Sequence, residues 1–528
     1  MGHLTSTHDY ISLQLRTIGL LFLLAISGIT ASGAEPDQIL QEIQCATGTA
    51  SVVQLVITNS DQYIARYHNG TIALEQKALK ALRQLGKDST LGLAYVLAHE
   101  LAHVHLDHGW ARKTGSAFAD TEFGKRLMKQ GMSMESRIVD ETHADLFAAL
   151  YGYQAGYPVL NVAERALRVL YQEYQLPEDI PGYPSLSQRI NIIRVNQEKF
   201  ASLAVIFQAG NLNLVTGNYA LASACYREIL AGQYHGREVL NNLGLALALE
   251  ALCPFFSDTD FFLLPMQLEQ HTMLGQRVRA PLKEDAVLLL KEAVSFFREA
   301  YLRDTKYSKA RINYVTGLLY LHRLTGDEQY ADDAEPELKR LMRLNEKEHQ
   351  AEVLILRANR SLNEGNRLEC LDLLRQAERK GSRLARLNLD RVSGSSTTAP
   401  ALDLRPETIA GVRLSGYLGE TLAATQHRIA NGNVQSVPFA NSVVYSTRLN
   451  KNGDRIESII QLADKSFSGE TSRHIRIGSS LSMLIGNYGE PDHVMNAGTR
   501  AFFSYGKANL VFAVDQGRVS QIITGHRR

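Results

Sequence analysis

Residues 91–105 read Leu-Gly-Leu-Ala-Tyr-Val-Leu-Ala-His-Glu-Leu-Ala-His-Val-His, an apolar run without proline that carries a histidine pair at a spacing of four. Such a run predicts a buried helix, on which positions i and i+4 share a face. His99 and His103 then aim two imidazoles at one point, with Glu100 projecting beside them. Two neutral imidazoles suit Zn²⁺, and a neighbouring carboxylate can hold and deprotonate a water there. A second stretch, Asp140-Glu141-Thr142-His143-Ala144-Asp145, opens another apolar run and also reads as a helix. Glu141 can supply a third, oxygen ligand and leave the fourth position for water. Asp145 can accept a hydrogen bond from the far nitrogen of a ligand histidine and fix its tautomer. The plainer alternatives are an ordinary amphipathic helix and an acidic pair that caps a helix. Finding both stretches in one chain favours the metal.

H-E-L-A-H followed by E-T-H-A-D on a second helix resembles the HtpX-like zinc metallopeptidases over about residues 58–196. These are membrane or periplasmic gluzincins, one branch of which carries C-terminal tetratricopeptide repeats. The resemblance implies a gluzincin-type α+β catalytic domain with one Zn²⁺ per chain. It implies His99, His103 and Glu141 as ligands, Glu100 as catalytic base and Asp145 behind a ligand histidine. Family members usually place a His-Pro ahead of the next helix and an Arg at its start. This chain keeps Pro184 and Arg189 but has Tyr183 in place of that histidine. Gluzincins stabilise the oxyanion of the tetrahedral intermediate with His, Tyr or Arg, which makes Tyr183 and Arg189 the candidates. For Arg189 the plain alternative is a surface residue at a helix N-terminus.

A chain of 528 residues with 45% hydrophobic and 21% charged residues is globular in composition, and its net charge of +1 leaves no nucleic-acid footprint. Residues 1–34 read as a secretory signal: Arg16, a short apolar core at 18–29, then Ala-Ser-Gly-Ala at 31–34. The alternative is a retained membrane anchor, although the core falls short of the ~20 residues a span prefers. No other stretch is long and apolar enough to span. The four cysteines form no C-x-x-C. Cys225 and Cys253 are the one pair considered for oxidation, against buried free thiols.

Asn69-Gly70 between two β-prone runs predicts a hairpin ahead of the histidine helix. In this family it borders the cleft, where an edge strand can bind an extended substrate by backbone pairing; it can equally do no more than pack the helix. His105 and His108 are read as helix-end or rim residues. The polar stretch 110–133 is either a lid or a solvated connector.

From about 201 to 390 the chain reads helix after helix. Gly210, Ala222 and Tyr226 fall at the small, small and aromatic positions of a tetratricopeptide unit, and Gly244 follows Gly210 at the 34-residue period. Ala293, Phe297 and Ala300 continue it after an insertion at 254–289; Ala358, Cys370, Leu374 and Ala377 fit another unit. Stacked pairs of this kind form a groove. A generic helical bundle is the alternative. The aromatic insertion, with Phe255, Phe256, Phe261, Phe262 and Leu263, can cover that groove or touch the catalytic domain. Beyond a Ser/Thr-rich linker, hairpin, capped-helix and strand signals predict a small α+β module for binding or docking.

The expectation is a mainly α chain divided as signal 1–34, metallopeptidase domain 35–200, tetratricopeptide-like α-solenoid 201–392, linker 393–404 and C-terminal module 405–528. By resemblance it is a periplasmic or otherwise exported zinc endopeptidase. Its expected partners are polypeptides, misfolded or unassembled envelope proteins among them, with other proteins bound through the repeat groove. Peripheral membrane association is compatible with this. The alternative is a repeat-based chaperone or assembly factor with secondary or latent proteolysis.

Overall fold

A computed structural model describes residues 36–47, 53–60, 63–68, 70–104, 137–180, 184–231, 234–255, 261–270, 286–344, 346–394, 426–439, 441–451, 454–465 and 467–527. The expected signal, His105, His108, the 110–133 stretch, Tyr183 and most of the linker lie outside these residues. The fold is mainly α, with helices packed in adjacent pairs and an antiparallel sheet at the C-terminal end.

The first part opens with α1 (Pro36–Thr47), β1 (Gln54–Thr58), β2 (Ala65–His68) and β3 (Thr71–Glu75). The expected hairpin is β2–β3, antiparallel from Ala65↔Leu74 to His68↔Thr71, and Gly70 in its connection has φ +79°. Glycine adopts that conformation without steric cost. β1 adds to β3 in parallel, so the sheet order is β1-β3-β2 and β2 is an edge strand. Helices α2 (Gln76–Arg83), α3 (Ser89–Val104), α4 (Arg137–Gln154) and α5 (Ala163–Glu173) follow. α3 is buried without a break from Gly92 to Ala102 and packs along α4. An apolar helix with no polar stripe is stable only in such surroundings.

The next helix, α6 (Leu186–Val215), starts at a capping box. Ser185 Oγ accepts the Gln188 N–H at 3.2 Å, and Gln188 Oε1 accepts the Ser185 N–H at 2.9 Å. The 30-residue helix runs straight through the domain boundary expected at residue 200. It pairs with α7 (Tyr219–Leu230). α8 (Arg237–Leu252) pairs with α9 (Ala286–Arg303), α10 (Ser308–Thr325) with α11 (Glu328–Leu344), α12 (Gln350–Asn363) with α13 (Arg367–Arg379), and α14 (Arg383–Ser393) closes the array. Small residues sit where helices cross closely. A Cβ on Gly210 would lie 2.8 Å from the Tyr226 ring, and one on Gly244 would lie 2.8 Å from the Phe297 ring and 2.9 Å from the Ala293 carbonyl. Against the expectation that no stretch beyond the N-terminal segment could span, Arg237–Phe255 is long and apolar enough to cross a membrane, but it is mostly buried in this array.

The C-terminal part forms one eight-stranded antiparallel sheet of order β4-β5-β6-β7-β11-β10-β9-β8. Its strands are β4 (Gln426–Ile429), β5 (Gly432–Phe439), β6 (Ser442–Lys451), β7 (Asp454–Ala463), β8 (His493–Ala497), β9 (Arg500–Tyr505), β10 (Leu510–Asp515) and β11 (Arg518–Arg527). Helix α15 (Leu481–Tyr488), capped by Ser480, packs Leu484 and Tyr488 on Tyr505 and Phe512. The sheet is tied to the helices by Asn213, which donates to Thr447 Oγ1 at 2.9 Å and accepts from Ser458 at 2.6 Å. A single apolar cluster continues from Ile39 through Leu240 to Ile523. All four cysteines are free, so Cys225 and Cys253 are not paired.

Candidate metal centre

α3 and α4 lie side by side and bring the two histidine and carboxylate motifs face to face. His99 Nε2 is 3.2 Å from Glu141 Oε2, and His103 Nε2 is 3.7 Å from Glu141 Oε1. The two imidazole centroids are 5.0 Å apart, nearly perpendicular. One donor atom from each of His99, His103 and Glu141 falls within 4.8 Å of the others, a group that could hold a metal ion. Two imidazoles and one carboxylate form a donor set suited to a divalent transition metal.

Behind this group is a fully buried carboxylate. Asp145 Oδ1 lies 3.0 Å from His99 Nδ1 and accepts the Tyr95 hydroxyl at 2.9 Å. Arg189 donates to both its oxygens, Nε to Oδ2 at 2.7 Å and a terminal nitrogen to Oδ1 at 2.6 Å. The capping box explains the placement of Arg189. By starting α6 at Leu186 it puts Arg189 in the first turn, against the face of α4 that carries Asp145. Arg189 is therefore a partly buried ion-pair partner at the cleft, not a surface residue.

The charges follow from these contacts. Burial opposes ionisation of Asp145, but the Arg189 guanidinium outweighs it and holds the carboxyl far below its usual range. Burial favours a neutral His99, yet hydrogen bonds to Asp145 and Glu141 hold its pKa up at about 10. A cation bound between His99 and Glu141 would take that proton's place. His103 is pushed down to about 4 by burial, with repulsion from His99 adding to it. Burial raises the Glu100 carboxyl above an ordinary glutamate, with the charge on Glu141 adding to it, while His99 and a hydrogen bond from the Tyr67 backbone work against it.

The group opens into a cleft of about 640 Å³. On one side lie Tyr63 to Tyr67, the approach to β2 and its edge. On the other are Leu167, Leu170 and Tyr171 of α5, followed by Tyr174, Leu176 and Ile180. Glu100 and Arg189 also line it. Two participants were missed in the sequence. Tyr95 carried a signal, since it stands one helical turn before His99. The Tyr67 backbone contact to Glu100 carried none, because a main-chain donor leaves no trace in residue type. No protein-family model matches the chain, and no curated protein matches it. The fold and site therefore define a class only: a mainly helical protein with a two-histidine, one-glutamate candidate metal centre.

Proposed function

We propose that this chain is an exported zinc endopeptidase that hydrolyses peptide bonds of polypeptide substrates. The observation that carries the reading is the position of Glu100. It stands beside the His99–His103–Glu141 group, in a cleft whose wall is the edge strand β2. A zinc ion held by that group supplies Lewis acidity toward a water molecule and a substrate carbonyl. Glu100 takes the proton from the attacking water and passes it to the leaving amine. Asp145 keeps the His99 ring oriented, and Arg189 keeps Asp145 charged and in place. With the Nε side of its guanidinium on Asp145, Arg189 is a positioning residue in this reading. An extended substrate adds to the outer edge of β2, where recognition is by backbone and not by side chain.

The glycine–aromatic crossings of Gly210 with Tyr226 and Gly244 with Phe297 support reading the array as tetratricopeptide-like. The apolar core and small-residue tail of residues 1–34 support export. The test is zinc content together with cleavage of casein, wild type beside Glu100→Gln. Zinc in both and turnover reduced about 10²–10⁴-fold in the variant is the expected result. Zinc in neither overturns the ligand set. Zinc in both with cleavage in neither favours the chaperone or assembly reading, in which Glu100→Gln keeps partner binding.

A further inference from the structure

Helices α6, α8, α10 and α14 present a row of amides and hydroxyls, and the chain's own segment 261–270 crosses that row outside any helix or strand, with one bridge from Gln267 to Asn496. Asn388 of α14 accepts the Leu263 N–H at 2.8 Å and donates to the Leu263 carbonyl at 2.7 Å. Asn313 of α10 grips Gln267 in the same way at 2.7 and 2.8 Å, and Asn242 of α8 grips Glu269 at 3.0 and 2.7 Å. Between these clamps Tyr320 accepts the Leu264 N–H at 2.7 Å and Thr316 donates to the Pro265 carbonyl at 2.6 Å. The asparagines brace one another: Asn313 donates to Asn241 at 2.9 Å, Asn241 to Asn242 at 3.1 Å, and Asn242 to Asn211 at 2.9 Å. On the sheet side, Leu268 donates to the Asn496 carbonyl of β8 at 2.8 Å.

None of these contacts reads a side chain. An amide that takes both the N–H and the C=O of one residue does what a neighbouring β-strand does, so it accepts any extended backbone. Asn241, Asn242, Asn313 and Asn388 are completely buried. Their amides would each cost about 1–3 kcal/mol if left unsatisfied. With segment 261–270 in place, Asn241, Asn242, Asn313 and Asn388 each donate to one of its backbone carbonyls. The apolar side chains of the segment pack beside these clamps: Phe262, Leu264 and Leu268 are buried, and Phe261 stacks on Tyr320 at 5.3 Å.

We propose that this face is a binding site for extended, apolar-rich segments of unfolded polypeptides, and that Phe261–Gln270 is its resident occupant, which an incoming segment replaces. The resident shows the chemistry of the ligand. It has large apolar residues at the Phe261, Phe262, Leu264 and Leu268 positions, and an acid at Glu269, which pairs with Lys309 at 3.2 Å. The resident belongs to the same chain as the face it fills. Tethering gives it an effective concentration on the order of millimolar, so only abundant or multiply attached clients compete.

The test is hydrogen exchange on the full-length Glu100→Gln chain, which excludes cleavage of the probe. The probe is reduced, carboxymethylated lactalbumin at saturating concentration. The expected result is exchange about tenfold faster or more at the amides of Leu263, Leu264, Gln267 and Glu269 when the probe is added. A second measurement uses a labelled peptide of sequence FFLLPMQLEQ. The double variant Phe261→Ser with Phe262→Ser loosens the resident and leaves the clamps intact, so it binds this peptide about tenfold tighter or more than the unaltered chain. Adding Asn313→Ala removes that gain. Unchanged protection in saturating probe overturns the proposal, as does a folded double variant that binds no more peptide. If the double variant does not fold, the exchange result decides alone. Neither readout depends on peptidase activity.

Discussion

Arg189 and Asp145 are joined by two hydrogen bonds, at 2.7 and 2.6 Å, and Asp145 is completely buried. Removing one partner of such a pair strands a charge in the protein interior. Arg189→Ala is therefore expected to destabilise the fold by about 3–5 kcal/mol and to weaken metal binding about 10–100-fold. Thermal unfolding and competition with a chromogenic chelator measure the two effects. Arg189→Lys keeps the charge but loses the paired geometry, and falls between them.

Tyr95→Phe removes one hydroxyl donor from Asp145 and leaves the ring in place. The expected loss is about 1 kcal/mol, read from denaturant midpoints at constant slope. Since Arg189 still holds the carboxylate, the metal site survives this change far better than the loss of Arg189.

The glycines separate close crossings from open surface. At Gly244 a Cβ would meet the Ala293 carbonyl at 2.9 Å, and backbone cannot step aside as a side-chain end can. Gly244→Ala is expected to cost about 1–3 kcal/mol. Gly486 lies in α15 with nothing within 4 Å of its virtual Cβ. There Gly→Ala is expected to be neutral or to stabilise by up to about 1 kcal/mol. Equal effects at the two sites would show that the α8–α9 crossing is not tight.

Glu299 supplies a pH signature away from the metal. His235, 3.7 Å away, and the two hydrogen bonds donated by Arg303 hold its carboxyl down at about 2, below the usual 4.5 of a glutamate, although burial opposes this. Because the folded value is depressed, the stabilisation is present above pH 4.5 and is lost as pH falls toward 2. Glu299→Gln should flatten the acid limb of stability in that window. An unchanged limb would show that other carboxylates dominate it.

Much of the candidate metal centre was legible because its residues recur at helical spacing within single stretches: the candidate ligands His99 and His103, and the candidate ligand Glu141 with Asp145, which backs His99. The pairing of Gly210 with Tyr226 and of Gly244 with Phe297 was legible for the same reason, a fixed period. The amide row was not legible. Asn242, Asn313 and Asn388 lie far apart in sequence, and each reads alone as a poor helix former. β4 and β5 were missed although Ala430-Asn431 stands between them ahead of Gly432, with Asn431 at φ +59°, because polar flanks hid the alternation. The boundary placed at residue 200 falls inside α6, a capped helix with no Gly or Pro before Gly210.

That unbroken helix has a mechanical consequence. Arg189 and Asn211 sit on the same shaft, α6, about 33 Å apart along the axis at about 1.5 Å per residue. One end grips the carboxylate behind His99, and the other end braces the amide row through the Asn242 side chain. Strain applied at either end is delivered to the other without passing through a loop, so the two ends share one lever arm.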